Sequence, residues 1–199
     1  MGIGDMVIFL PFIEAISKHF GTPISILVKE SSKAIQFLKD NKTINEIIIL
    51  DRGNKIKNGH HEGIIGSYNL VKDLKKHNFD KIFIFNSSLR YNLIAKIAGI
   101  KDIHQYPLFN KKNQHIVDTA IDFIKKEINI KVESNPQILI SDQLVKNSKL
   151  NYKINNEETN ILLGIGGSGP TKRIPSKIFI NFMNLVTKKY KCRFFLATG

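Results

Sequence analysis

The sequence predicts an α/β protein built on a Rossmann-like, doubly wound parallel sheet, and three observations carry that expectation. Short β-branched runs alternate with longer amphipathic stretches along the whole chain. Most of those runs lack the polar–apolar alternation of a half-exposed strand, as strands covered by helices on both faces must. Strand, helix, strand repetition of this kind closes into a parallel α/β sheet.

Taken in order, the amphipathic stretches are Met6 to His19, Ser32 to Lys39, Tyr68 to Lys76, Leu89 to Ala98, Gln114 to Glu127 and Ser176 to Lys189. Within the fifth, Ile116, Ala120, Phe123 and Ile124 repeat at helical spacing and define one buried stripe. Strands are expected at Ile24 to Val28, Glu46 to Leu50, Lys81 to Phe85, Gln137 to Ile140, Asn160 to Ile165 and Arg193 to Ala197. Residues 51–66 are glycine-rich and loop-like. Residues 141–159 are polar and separate two α/β stretches. This predicts a first domain over 1–142, a linker over 143–159 and the opening of a second domain over 160–199. Gly2 to Asp5 reads as a strand-to-helix loop with no strand ahead of it, and the second domain has too few elements to cover its own sheet.

Composition narrows the function classes. The 199 residues are 42% hydrophobic and 24% charged, which excludes disorder and fibrous repeats. A single cysteine, Cys192, excludes an intrachain disulfide and a thiolate zinc cage, and points to a reducing, cytoplasmic compartment. No run approaches the ~20 apolar residues of a spanning helix, so a soluble protein is expected. The net charge of +13 invites a polyanionic partner. Only Arg52, Arg90, Arg173 and Arg193 are arginine, however, and the Lys, Ile and Asn enrichment matches AT-rich coding. Lys72, Lys75 and Lys76 fit a solvated helix face, and no Arg–aromatic alternation suggests base reading, so nucleic acid is not expected.

Three constellations could carry chemistry. Gly2, Gly4 and Asp5 precede an apolar helix, where glycines permit a sharp turn and a helix start offers unpaired N–H groups. Asp5 is either a helix cap or a carboxylate general base in the crevice at the sheet edge. Gly164 to Pro175 (GIGGSGPTKRIP) follows a strand and joins glycines, the hydroxyls of Ser168 and Thr171, and the charges of Lys172 and Arg173, as a phosphate-binding turn does. It is not a Walker loop. Asn86, Ser87, Ser88 and Arg90 follow a strand, where polar residues line the binding crevice or cap the next helix. His60 and His61 are adjacent in a loop with no further ligand at metal spacing, so no metal site is expected. His115 caps or packs at a helix start, and Cys192 reads as a small buried hydrophobe.

These segments together resemble the heptosyltransferases of glycosyltransferase family nine. The opening GIGDMVIFLPFIEAISKHF is similar to that family's G-x-G-D turn and proline-containing apolar helix. FDKIFIFNSSLRYNLIAKIAGIKDIHQY resembles its strand, Asn-Ser, helix, Ala-Gly segment, and ILLGIGGSGPTKRIP its donor-phosphate turn, with Ile174 where tryptophan is usual. The resemblance implies a GT-B architecture of two Rossmann-like domains, acceptor bound by the first and sugar nucleotide by the second. It implies metal-independent, inverting transfer of a heptose from ADP-heptose to a lipid-linked saccharide of the lipopolysaccharide core. The site would lie at the cytoplasmic, anionic face of the inner membrane, with no cofactor beyond the donor substrate. Asp5 then matches the catalytic base. Ser168, Gly169, Thr171 and Lys172 match the donor-phosphate turn, while Gly4, Asn86, Ser87 and Arg90 fall on the acceptor side.

The chain departs from that pattern in lacking the first strand and in ending before the family's nucleotide-holding segments, so it is expected to be a fragment. Two further readings remain open. An NAD- or S-adenosylmethionine-binding Rossmann enzyme would need an acidic residue closing the second strand, and Val28-Lys29-Glu30 offers Glu30. A degenerate module could hold saccharide or polyanion without turnover.

Overall fold

A computed structural model describes residues 2–53, 58–107, 114–167, 169 and 173–198. The chain divides into two compact units, 1–139 and 140–199.

The first unit begins with helix α1, Ile3–Phe20. It starts earlier than the apolar periodicity suggests because Gly2 to Asp5, read from sequence as a loop, forms its cap and first turn. Gly21 ends it in the left-handed conformation, a common helix stop. Strand β1 (Ile24–Val28) pairs in parallel with β2 (Ile44–Ile49) across a 3₁₀ turn and the short helix α2 (Ala34–Leu38). Helix α3 (Gly63–Lys76) leads to β3 (Lys81–Ile84), helix α4 (Leu89–Ile97) and β4 (Asp102–Gln105), which pairs in parallel with β3. Helix α5 (Ile116–Ile128) completes the layer. His115 is its N-cap, with Nδ1 accepting from Val117 N–H at 3.3 Å.

α1 packs with two sets of partners at once. Met6, Leu10 and Ile13 join Ile26 and Val28 of β1 with Ala34 and Leu38 of α2. Phe9, Phe12 and Ile16, one quarter-turn around, join Phe123 and Ile124 of α5 and Tyr106, with Phe83 and Phe85 packed against them. Phe85 is the hub of the aromatic part, with ring centroids 5.2 Å from both Phe9 and Phe123. On the other side, Leu70, Val71 and Leu74 of α3 pack with Leu50 and Ile94.

Strand β4 escaped the sequence reading because its four residues, Asp-Ile-His-Gln, carry no apolar run. Pairing creates its stability instead. Lys81 and Asp102, in register across the pair, form an ion pair. His104 stacks on its register partner Phe83 at 4.5 Å and meets Glu127 of α5 at 2.7 Å. Burial pushes the Glu127 carboxyl up, but hydrogen bonds with His104 and Lys126 outweigh it and hold the group below its ordinary range.

The second unit holds α6 (Asp142–Asn151), β5 (Thr159–Gly164), α7 (Ser176–Thr187) and β6 (Cys192–Ala197), with β5 and β6 parallel. Three expectations change in and just ahead of this unit. Residues 137–140 form no strand, and Leu139 and Ile140 are 66% and 59% exposed, as a segment without a ladder partner would be. Residues 142–151, which run from the end of the expected first domain into the expected linker, are helical because Ser141 caps them, its Oγ accepting from Leu144 N–H at 3.3 Å. Cys192 is half-buried at the start of β6 rather than fully buried. Among the described residues, all buried core hydrophobics fall between Met6 and Val132, in the first unit.

Two stability measurements follow. Phe12→Ala empties the junction between α1 and α5 and should cost ~3–5 kcal/mol in denaturant unfolding. The Tyr106 hydroxyl is buried without a hydrogen-bond partner among the described residues, and burial raises its pKa well above the usual phenol range. Tyr106→Phe should therefore leave the unfolding midpoint unchanged or raise it.

Candidate functional site

In open parallel α/β sheets, ligands bind beyond the carboxyl ends of the strands. Here that edge gathers the start of α1, the loop after β2 and the turns after β3 and β4. Met6 clusters with Val28 and Ile49, the last residues of β1 and β2, which puts the beginning of α1 at this edge.

Asp5 is the third residue of α1, and its Oδ2 accepts the Gly2 N–H at 2.7 Å. It caps by reaching back from inside the helix, not from the position ahead of it. Gly4 lies in the first turn, and a Cβ on either Gly2 or Gly4 would meet no atom within 4 Å. The fold of this segment therefore does not itself require glycine there.

The loop after β2 is folded around two residues. Asp51 accepts from the N–H groups of Gly53 (3.0 Å) and His60 (2.8 Å) through its carboxylate, and these bonds hold its pKa below the ordinary value. His61 is buried, and its Nδ1 accepts the Asp51 N–H at 3.0 Å. A backbone N–H can only donate, so the imidazole proton sits on Nε2, directed at Asp73 Oδ2 3.1 Å away. His60 Nε2 lies 3.3 Å from the same oxygen, and Lys76 Nζ 2.7 Å from Asp73 Oδ1. Gly66 makes this closure possible, because a Cβ there would fall inside the His61 backbone.

His60, His61 and Asp73 bring three potential ligand atoms within 4.8 Å, an association missed in the sequence because Asp73 lies on α3, twelve residues beyond His61. With the His61 Nε2 lone pair occupied by its proton and an ammonium on Asp73, the cluster is built as a hydrogen-bonded latch between loop and helix. Beside it a cleft of about 430 Å³, within the range of ligand pockets, is lined by Asp51, Asn58, Gly59, His60, Glu62 and Asn69. Those carboxylate, amide and imidazole groups suit hydroxyl-rich ligands.

Arg90 turns inward to the scaffold. Its Nε donates to Ser67 Oγ at 2.9 Å and its Nη2 to the His61 carbonyl at 2.7 Å, which ties α4 to the start of α3. Asn86 Oδ1 accepts the Ser88 N–H at 2.7 Å, so the turn, not a serine hydroxyl, starts α4. Gln105 Nε2 spans the carbonyls of Asn86 (2.8 Å) and Ser88 (3.0 Å), a role that could be found only once β4 was placed beside β3. Ser87 is half-buried between them.

In the second unit, the turn after β5 carries Gly169, where a Cβ would meet nothing within 4 Å. Arg173 Nε donates to the Gly167 carbonyl at 3.1 Å, three residues ahead of α7. Ser168, Thr171 and Lys172 lie outside the described residues.

No family model and no curated protein matches the chain. Solved structures do. A glycosyl transferase of family 9 from Veillonella parvula DSM 2008 aligns with a TM-score of 0.72 at 20% identity, over 98% of this chain and 60% of that one. The ADP-heptose LPS heptosyltransferase II of E. coli aligns with a TM-score of 0.72 at 16% identity, over 98% of this chain and 61% of that one. The chain has the fold of these glycosyltransferases. It spans about three-fifths of the length of either one. The sequence resemblance and the structural likeness thus agree on a GT-B-like, Rossmann-type architecture, and no helix among the described residues is long and apolar enough to cross a membrane.

The latch in this glycosyltransferase fold can be tested by pH. Hydrogen bonds from Lys76 and His61 lower the Asp73 pKa from 3.8 to about 2. A depressed carboxylate adds stability above its unfolded pKa and loses it as pH falls toward the folded value. With its side chain a quarter exposed, solvent screening leaves a contribution of about 1 kcal/mol. Asp73→Asn should lower stability by that amount at pH 7 and by little at pH 2, measured by urea unfolding at both values.

Proposed function

We propose that the chain carries the acceptor-side unit and the start of the donor-side unit of a glycosyltransferase. The substrates would be a nucleotide-sugar, of the ADP-heptose type, and a lipid-linked saccharide of the lipopolysaccharide core. The observation that carries this reading is the fold likeness over 98% of the chain to two glycosyltransferases, one of them a heptosyltransferase. The order of motifs supports it: G-x-G-D at the start of α1, Asn-Ser after β3, and the glycine-rich Lys-Arg turn after β5.

The chemistry assigned to these residues is a displacement at the anomeric carbon with inversion. Asp5 accepts the proton of the acceptor hydroxyl as its oxygen bonds to that carbon. The bond to the nucleoside diphosphate breaks on the opposite face. Lys172, with Ser168, Gly169 and Thr171, would balance the charge of the departing diphosphate, so that a lysine does the work a divalent cation does elsewhere. Asn86, Ser87 and the cleft beside His60 would hold the acceptor, and Arg90 would position that cleft through His61 and Ser67. The donor is then the sole small molecule required, and the reaction belongs on the cytoplasmic side of the inner membrane, where nucleotide-sugars are made.

Two substitutions test this in a protein that includes the full donor unit. Asp5→Asn keeps the cap acceptor for the Gly2 N–H but removes the base. The melting temperature and donor affinity should hold while kcat falls by ~10²–10⁴-fold. Retained turnover ends the assignment. Lys172→Ala should weaken nucleotide-sugar binding by ~2 kcal/mol, the scale of a lost charge-assisted contact, measured by calorimetry.

A further inference from the structure

The outward face of α3 has a composition that neither core packing nor the site explains. Ile64 is 91% exposed, Ile65 77% and Tyr68 60%, and Ile64 is the most exposed large hydrophobic among the described residues. Helical spacing places Lys72, Lys75 and Lys76 on the same face, below them toward the C-terminal end. The opposite face buries Gly66, Leu70, Val71 and Leu74. Lys72 Nζ stands 4.5 Å over the Tyr68 ring, so charge and apolar surface are continuous along the stripe. Arg90 ties the start of α4 to the Gly63 carbonyl, and Leu89 and Leu93 of α4 are about half exposed. Ile65 also borders the 430 Å³ cleft. The apolar patch therefore stands at the mouth of that cleft.

We propose that this face of α3 docks the protein on an anionic lipid surface, with Ile64, Ile65 and Tyr68 entering the headgroup–acyl boundary and the lysines meeting lipid phosphates. The charge pattern selects this occupant. Lys76 is already paired with Asp73, but joining two copies through the stripe would still bring Lys72 and Lys75 of each copy, four ammonium groups, against one another, a repulsive arrangement. A lipid phosphate layer instead complements both these lysines and the net charge of +13. Tyrosine and lysine suit the boundary itself, each with an apolar body and a polar tip. The purpose of such docking rests on the lipid-linked acceptor proposed above, since it would present the cleft to a saccharide anchored in the same surface.

Vesicle co-sedimentation of the full chain tests this. The chain should bind phosphatidylcholine–phosphatidylglycerol vesicles at about 7:3 and bind pure phosphatidylcholine at least roughly tenfold more weakly. Ile64→Ser/Ile65→Ser and Lys72→Glu/Lys75→Glu should each reduce binding to the mixed vesicles by roughly tenfold or more, with unchanged circular dichroism and melting temperature. Binding of the unaltered chain should also fall steeply with added salt. Equal binding to both vesicle types, indifference to salt, or full binding by both variants would overturn the proposal. So would a lipid-free dimer in sedimentation velocity that Ile64→Ser/Ile65→Ser dissociates. In a protein that includes the full donor unit, vesicle binding without sugar transfer to either embedded or deacylated acceptor would sink the transferase reading alone. Transfer to deacylated acceptor without vesicle binding would sink the docking alone.

Discussion

The first unit depends on one helix having two buried faces. α1 presents Met6, Leu10 and Ile13 to β1 and α2, and Phe9, Phe12 and Ile16 to α5 and Tyr106. The β1–β2 and β3–β4 pairs are not hydrogen-bonded to each other among the described residues, so this shared helix, with the cluster of Leu27, Leu50, Leu70, Leu74 and Ile94 on the other side, couples them. Burial of large side chains on both stripes supplies the driving force, and close packing gives it direction. Pro11 is buried inside the same helix, a position that removes one helical hydrogen bond and is held by that tertiary packing.

From that junction the site is built outward by polar contacts. The end of β2 runs into Asp51, whose backbone N–H is received by His61; His61 reaches α3 through Asp73; and Arg90 clamps the same loop from α4. The last two contacts join that loop to helices that are themselves anchored in the core by Leu70, Leu74 and Ile94. The cleft beside His60 is consequently bounded by side chains whose neighbours, His61 and Asp51, are fixed by these contacts. The second unit is organised differently. Its two strands pair along their whole length, but its helices bury no side chain fully.

Asp5 shows why structural and catalytic roles are hard to separate at a helix start. A carboxylate there is stabilised by exposed N–H groups and the helix dipole whether or not it touches substrate. The 2.7 Å bond to Gly2 accounts for its presence structurally. An acid placed by such a bond is also held in a defined orientation, as a general base must be. Only a substitution that keeps shape and removes basicity can tell these apart.

Local pattern determined much of this protein. The strands near 24–28 and 81–84 were legible as short β-branched runs, and the helices near 68–76, 89–97 and 116–128 as longer amphipathic stretches. The turns G-x-G-D, Asn-Ser and Gly-rich Lys-Arg were legible as candidate chemistry because glycines, hydroxyls and charges cluster in a few consecutive residues. Tertiary structure decided the rest. β4 exists because Phe83 and Asp102 have partners across a ladder, and residues 137–140 stay outside any sheet because no strand lies beside them, whereas α6 rests on a local cap by Ser141. The conversion of Arg90 from ligand-facing cation to clamp, and the meeting of His61 with Asp73, depend on residues 12 to 29 positions apart. No local periodicity encodes such contacts; they form only when α3 and α4 pack side by side.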